Sequence, residues 1–172
     1  RYADSAENTD SVGFASEIVE DQLQIIFACC HPSLTPDSRI ALTLKTVGGF
    51  SVPEIAGAFL SNREAVAKML VRAKKKLREK KARLEIPGPG ELTARLDSVL
   101  KVLYLMFNEG YSASAGEDPV RTDLCHEAIR LARLLSEHPL TTGPKVHALT
   151  ALFLFQTSRL PARSGEGGSL IV

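Results

Sequence analysis

The chain has 172 residues, of which 44% are hydrophobic and 24% charged, and a formal net charge of only +1. That is enough apolar material for one good core or two small helical ones. No apolar run approaches the ~20 residues needed to span a bilayer and no signal-peptide pattern is visible, so a soluble cytoplasmic protein without a membrane partner is expected. The first residue is Arg rather than Met, which suggests an excised piece of a longer chain.

Residues 1–21 hold six acidic groups and one arginine among Ser, Asn and Gly. Such a composition buries little and reads as an acidic linker. From Asp21, the residues Leu23, Ile25, Ile26, Phe27 and Ala28 predict a compact apolar helix ending near Cys30-His31-Pro32. Thr35, followed by Pro36, Asp37 and Ser38, is a helix start signal. The helix it opens carries Ile40, Leu42, Leu44 and Val47 and is expected to stop at the Gly48-Gly49 pair.

Ser51 and Pro53 open a third helix near Val52, short and apolar on the side of Ile55, Ala56 and Phe59. Ser61 and Asn62 cap a fourth, with Val66, Met69, Leu70, Ala73 and Leu77 at 3/4 spacing as its core stripe. At 100° per residue, Glu64, Lys68, Arg72 and Lys75 lie opposite that stripe. Between Arg63 and Arg83 there are ten Lys/Arg against two Glu, a local charge of +8. A basic run alone is often a solvated helix end, favoured by the macrodipole. Joined to a preceding short helix through a tight break, it suits the phosphate-lined groove of duplex DNA.

Two possible chemistries weigh less. Cys29-Cys30-His31 lacks a CxxC pair or a second ligand cluster, so no structural metal site is expected, and Cys125-His126 is no better. Three irregularly spaced cysteines fit reduced thiols in apolar surroundings. His138 and His147 read as surface or cap groups.

Ile86-Pro87-Gly88-Pro89-Gly90 marks a boundary, after which residues 85–172 carry eight Lys/Arg and ten Asp/Glu. Three further helices are predicted. The first, Leu92 to Phe107, is apolar nearly all round and so central. It runs into Asn108-Glu109-Gly110-Tyr111, where Gly110 is expected to permit a sharp turn. Glu109 has no second carboxylate or histidine at a useful spacing, so it reads as a structural hydrogen-bond group, not a catalytic one, and no cofactor is implied. The second helix starts at Asp123 and carries Leu124, Ala128, Ile129, Leu131, Ala132 and Leu135. The third starts at Thr142-Gly143-Pro144, carries Val146, Leu149, Leu152, Phe153 and Phe155, and ends near Leu160-Pro161.

The stretch Glu54-Ile55-Ala56, a short turn, Val66, and Arg72-Ala73-Lys74-Lys75-Lys76-Leu77 resembles region 4 of an extracytoplasmic-function sigma factor. Leu103 to Tyr111, Asp123-Leu124 to Leu134-Leu135, and Pro161-Ala162-Arg163 resemble the C-terminal extension of one branch of that family, which ends in tetratricopeptide-like helices. The resemblance implies an all-α chain: a four-helix DNA-binding domain with a helix-turn-helix over residues 22–84, then a small helical domain over 91–172. It implies double-stranded promoter DNA and the RNA polymerase core as partners, a possible regulatory protein on the extension, and a promoter-melting region that would precede Arg1. By position it assigns DNA contact to Ser61, Asn62, Arg63, Glu64, Lys68, Arg72, Lys75 and Lys76. Two departures stand out. Many members have Gly in place of Leu60, so a different or more helical turn is expected here, and Ala67-Lys68 replaces the usual Lys-Ser or Arg-Ser. The alternative is a stand-alone helix-turn-helix regulator whose C-terminal domain binds a ligand or protein. In either case the short Pro-Gly linker predicts that the extension packs on the DNA-binding unit, bracing it rather than covering its basic helix.

Overall fold

The structure, a computed structural model, describes residues 21–81, 87–114 and 120–163. Among them every regular element is a helix. Of the expected acidic linker, only Asp21 is included.

Helix α1 spans Asp21–Cys29 and buries Leu23, Ile26, Phe27, Ala28 and Cys29, whereas Ile25 points outward at 53% exposure. Helix α2 spans Pro36–Thr46. The Thr35 hydroxyl caps it by accepting from Ser38 N, and Pro36 sits where a missing N–H costs nothing. It stops at Thr46, earlier than expected, and Val47 is its C-cap. Gly49 then takes a φ of +69°, which turns the chain towards the next helix.

Helix α3 (Val52–Ala58) opens with a reciprocal cap: the Ser51 hydroxyl accepts from Glu54 N, and Glu54 Oε2 accepts from Ser51 N at 2.6 Å. Helix α4 (Arg63–Glu79) opens at Asn62, whose Oδ1 accepts from Ala65 N at 2.8 Å. Its predicted stripe faces the core: Val66, Leu70, Ala73 and Leu77 are buried and Met69 packs partly against them.

The turn between these helices corrects one expectation. Leu60 has φ +49°, the conformation a glycine would take there, so the turn is not a more helical one. Ser61 N donates to Ala56 O at 2.9 Å and Leu60 N to Gly57 O at 3.0 Å. That pair of bonds is the Schellman pattern, which satisfies two carbonyls left over at the end of α3. The side chain at its left-handed position stands 97% exposed, so a leucine meets no neighbour there.

Helix α5 spans Pro89–Tyr111, 23 residues or roughly 34 Å, well beyond the predicted Leu92 to Phe107. Pro89 is suited to a first helical position, and Gly88 precedes it as N-cap. At the other end Gly110 is not a turn. It is buried within the helix where α6 (Thr122–Glu137) crosses closest, and a Cβ there would sit 2.8 Å from Cys125 N and 2.9 Å from Arg121 O. Arg121, not Asp123, is the N-cap of α6. Helix α7 spans Pro144–Thr157 and a short α8 follows over Leu160–Arg163, so the single third helix expected from sequence is divided. Phe153 of α7 stacks on Phe107 of α5, ring centroids 4.3 Å apart.

One hydrophobic cluster runs through all these helices from Leu23 to Leu160. Helix α5 is its spine: it packs on α1, α2 and α3 on one side and on α6 and α7 on the other. The extension and the first four helices thus share a core.

Candidate nucleic-acid interface

Helix α4 is held by its buried stripe, and everything on its other side is offered to solvent. Ser61, Asn62, Arg63, Glu64, Lys68, Arg72, Lys75 and Lys76 are all exposed. All lie on α4 or in the two residues before it, so the structure brings the sequence-predicted set onto one element. Their roles in the folded chain differ. Asn62 commits its Oδ1 to capping the helix. Lys68 pairs with Glu64 at 2.6 Å and Lys75 with Glu79 at 3.7 Å, both one helical turn apart and well exposed. Pairs of this kind contribute about 0–1 kcal/mol, so exchanging a carboxylate for a phosphate or a base edge costs little. Arg72 Nε donates to Lys68 O at 3.3 Å, which keeps its guanidinium along the helix. Arg72 and Lys76 also border a groove against Thr35, Asp37 and Ser38 at the start of α2.

The short linker predicts that the extension packs on the DNA-binding unit, but no sequence signal places it at the start of α4. Ser114, just beyond α5, joins Pro53, Gly57, Ser61, Asn62, Arg63 and Glu64 around a cleft at the start of α4. Its position is set by Glu109, a carboxylate only 6% exposed, which accepts from Ser114 N at 2.8 Å and from its hydroxyl. That is the structural role expected of Glu109. Arg121 reaches across to Glu54 Oε1 at 3.1 Å. Burial pushes the Glu54 carboxyl up, but the Ser51 hydrogen bonds and the charges of Arg121 and Lys45 outweigh it, and the net shift is downward. Deeper in, Arg95 of α5 donates to Phe27 O at 3.0 Å, closing off the end of α1.

Cys29, Cys30 and Cys125 are buried free thiols. Burial raises all three, Cys30 and Cys125 to about 11, which leaves them protonated and unreactive. His138 caps the end of α6 and accepts from Leu140 N through Nδ1, and His147 pairs with Thr142. Among the described residues no group of three His, Cys, Asp or Glu is placed to hold a metal ion, and no helix is long and apolar enough to cross a membrane.

A reciprocally capped short helix, a Schellman turn and a second helix with a cationic outer face define a helix-turn-helix nucleic-acid-binding module. Residues 24–77 match the family model of sigma-70, region 4. Residues 95–172 match a family of unknown function (DUF6596). The chain is 38% identical over all its 172 residues to an uncharacterized protein of Rhizobium meliloti (strain 1021), and it spans 40% of that relative's length. No solved structure matches it.

Proposed function

We propose that this chain is the promoter-recognition part of an RNA polymerase sigma factor of the extracytoplasmic-function type. In this role it reads the minus-35 element through α4 while the intact factor joins the polymerase core in the cytoplasm. The observation that carries the proposal is the uncovered cationic face of α4, on a capped helix-turn-helix within residues that match sigma-70 region 4. Arg63, Glu64 and Lys68, at the start of α4, would discriminate bases: the cations by donating to guanine, Glu64 by accepting from a cytosine amino group. Arg72, Lys75 and Lys76 would hold phosphates. The extension catalyses nothing in this scheme. It braces the module, a role that the packing of α5 on α1, α2 and α3 supports, and Ser114 borders the cleft at the start of α4. The sequential packing of α5, α6 and α7 supports its assignment as the start of a tetratricopeptide-like array.

Binding to duplex DNA as a function of salt tests the proposal. Arg72→Ala and Lys75→Ala should weaken binding on all sequences and flatten the salt dependence by up to about one unit of slope for each phosphate no longer held. Alanine at Arg63, Glu64 or Lys68 should instead relax the preference at single positions, by about 1–3 kcal/mol for each good bidentate pairing. Unchanged salt slopes would remove the phosphate assignment. DNA binding without affinity for core polymerase would favour a stand-alone regulator.

A further inference from the structure

We propose that Ala67 and Val71 read the 5-methyl groups of thymines in the major groove of the bound duplex. The inference rests on the DNA-binding role proposed above and concerns what the outer face of α4 recognises.

The exposed positions of α4 are Arg63, Glu64, Ala67, Lys68, Val71, Arg72, Lys74, Lys75, Lys76, Arg78 and Glu79. All are charged except Ala67 and Val71. Valine is a poor choice for a solvated helix surface, because its branched Cβ loses χ1 freedom against the preceding turn. Nothing in the fold compensates for it: Val71 is 66% exposed and stands apart from the buried stripe that anchors the helix. A single exposed apolar residue needs no explanation. Two of them one turn apart on a helix whose outer face is otherwise wholly charged form a strip with a direction. Ala67 and Val71 lie about 6 Å apart along the axis and within roughly 40° of each other around it. The strip borders Glu64 and Lys68, the groups placed to meet base edges.

The surroundings select the occupant. Lys68, Arg72, Lys74, Lys75 and Arg78 surround the strip with positive charge, so the partner is polyanionic and must also present small apolar groups between its charges. In the major groove of DNA only thymine offers one, its C5 methyl, and Ala-sized and branched side chains are the usual contacts for it. The axial spacing of the two side chains is close to two base steps of about 3.4 Å each. Ala67 and Val71 therefore supply sequence information that the phosphate-holding cations beside them, Arg72 and Lys75, do not.

The test uses the full chain and a randomised duplex pool. The tightest duplex is selected, then remade with deoxyuridine replacing thymine one position at a time, which removes only the methyl. The wild-type chain should lose about four-fold in affinity at one or two positions, the cost of one buried methyl-sized group. Val71→Ala should weaken binding to the thymine duplex and shrink the uridine effect at one of those positions. Val71→Lys, which adds charge at an exposed site, should bind unselected DNA at least as well as wild type and still show no uridine effect there. Equal wild-type affinity for thymine and uridine duplexes overturns the methyl inference and leaves the DNA-binding role standing. So does a Val71→Ala variant that loses the same factor on both duplexes, since the residue then acts through packing or through a protein partner. A chain that binds no duplex in a salt-dependent way overturns the DNA-binding role and this inference with it.

Discussion

Arg95 offers a quantitative check on the docking of the extension. Its side chain is 5% exposed, and it bridges Phe27 O at 3.0 Å and Glu91 Oε2 at 2.9 Å. A hydrogen bond from a charged donor contributes about 1.5–3 kcal/mol. The three methylenes of the stem add about 2 kcal/mol of burial. Against these stand the desolvation of a guanidinium whose carboxylate partner is 57% exposed, and a buried Nε with no partner among the described residues. Arg95→Ala removes the bond and the stem and leaves a void, for a net loss of about 2–3 kcal/mol. Arg95→Met keeps the stem and discards both the charge and the unpartnered Nε, so its loss should stay near 1 kcal/mol. Urea unfolding followed by circular dichroism measures both variants against wild type. An alanine variant with an unchanged midpoint would refute the reasoning that Arg95 ties α5 to α1. If methionine were as costly as alanine, the bond to the Phe27 carbonyl would matter and the stem would not.

Three further perturbations have defined outcomes. Leu60→Gly should raise stability by about 0.5–1 kcal/mol in the same assay: relief of a left-handed leucine outweighs the flexibility glycine adds to the unfolded chain, and an exposed side chain forfeits little burial. Lower stability would mean that Leu60 packs against a neighbour the structure does not contain. Gly110→Ala should cost about 1–2 kcal/mol despite the better helix propensity of alanine, because two of the clashing atoms, Cys125 N and Arg121 O, belong to the backbone at the start of α6 and cannot swing away; a neutral result would show that α5 and α6 are less closely apposed. Glu54 has its folded pKa lowered, so the stabilisation it provides is complete above the ordinary glutamate value of 4.5 and fades as pH falls through the folded value. Wild type should therefore exceed Glu54→Gln at neutral pH and converge with it in acid, and parallel pH profiles would rule out a contribution from the pair with Arg121.

The helix-turn-helix was legible because its signals are local. Thr35, Ser51 and Asn62 announce helix starts through bonds to residues three positions on, and the Val66, Leu70, Ala73, Leu77 stripe marks the buried side of α4 by period alone. Once that side is known, the cationic face follows from helix geometry. Local signals misled where packing decided. A leucine at position 60 pointed away from a left-handed turn, yet the two Schellman bonds and the crossing of α3 and α4 impose one. A glycine at position 110 suggested a turn, but it serves the close passage of one backbone past another. Helix α7 is apolar nearly all round, so its sequence does not reveal that Phe153 is buried while Phe155 stands 76% exposed. Bonds that join the extension to the DNA-binding unit, such as Arg95 to Phe27 and Arg121 to Glu54, link residues 68 and 67 positions apart. No periodicity encodes a pairing at that range. It exists only because α5 lies across α1, α2 and α3 and carries the chain back to them.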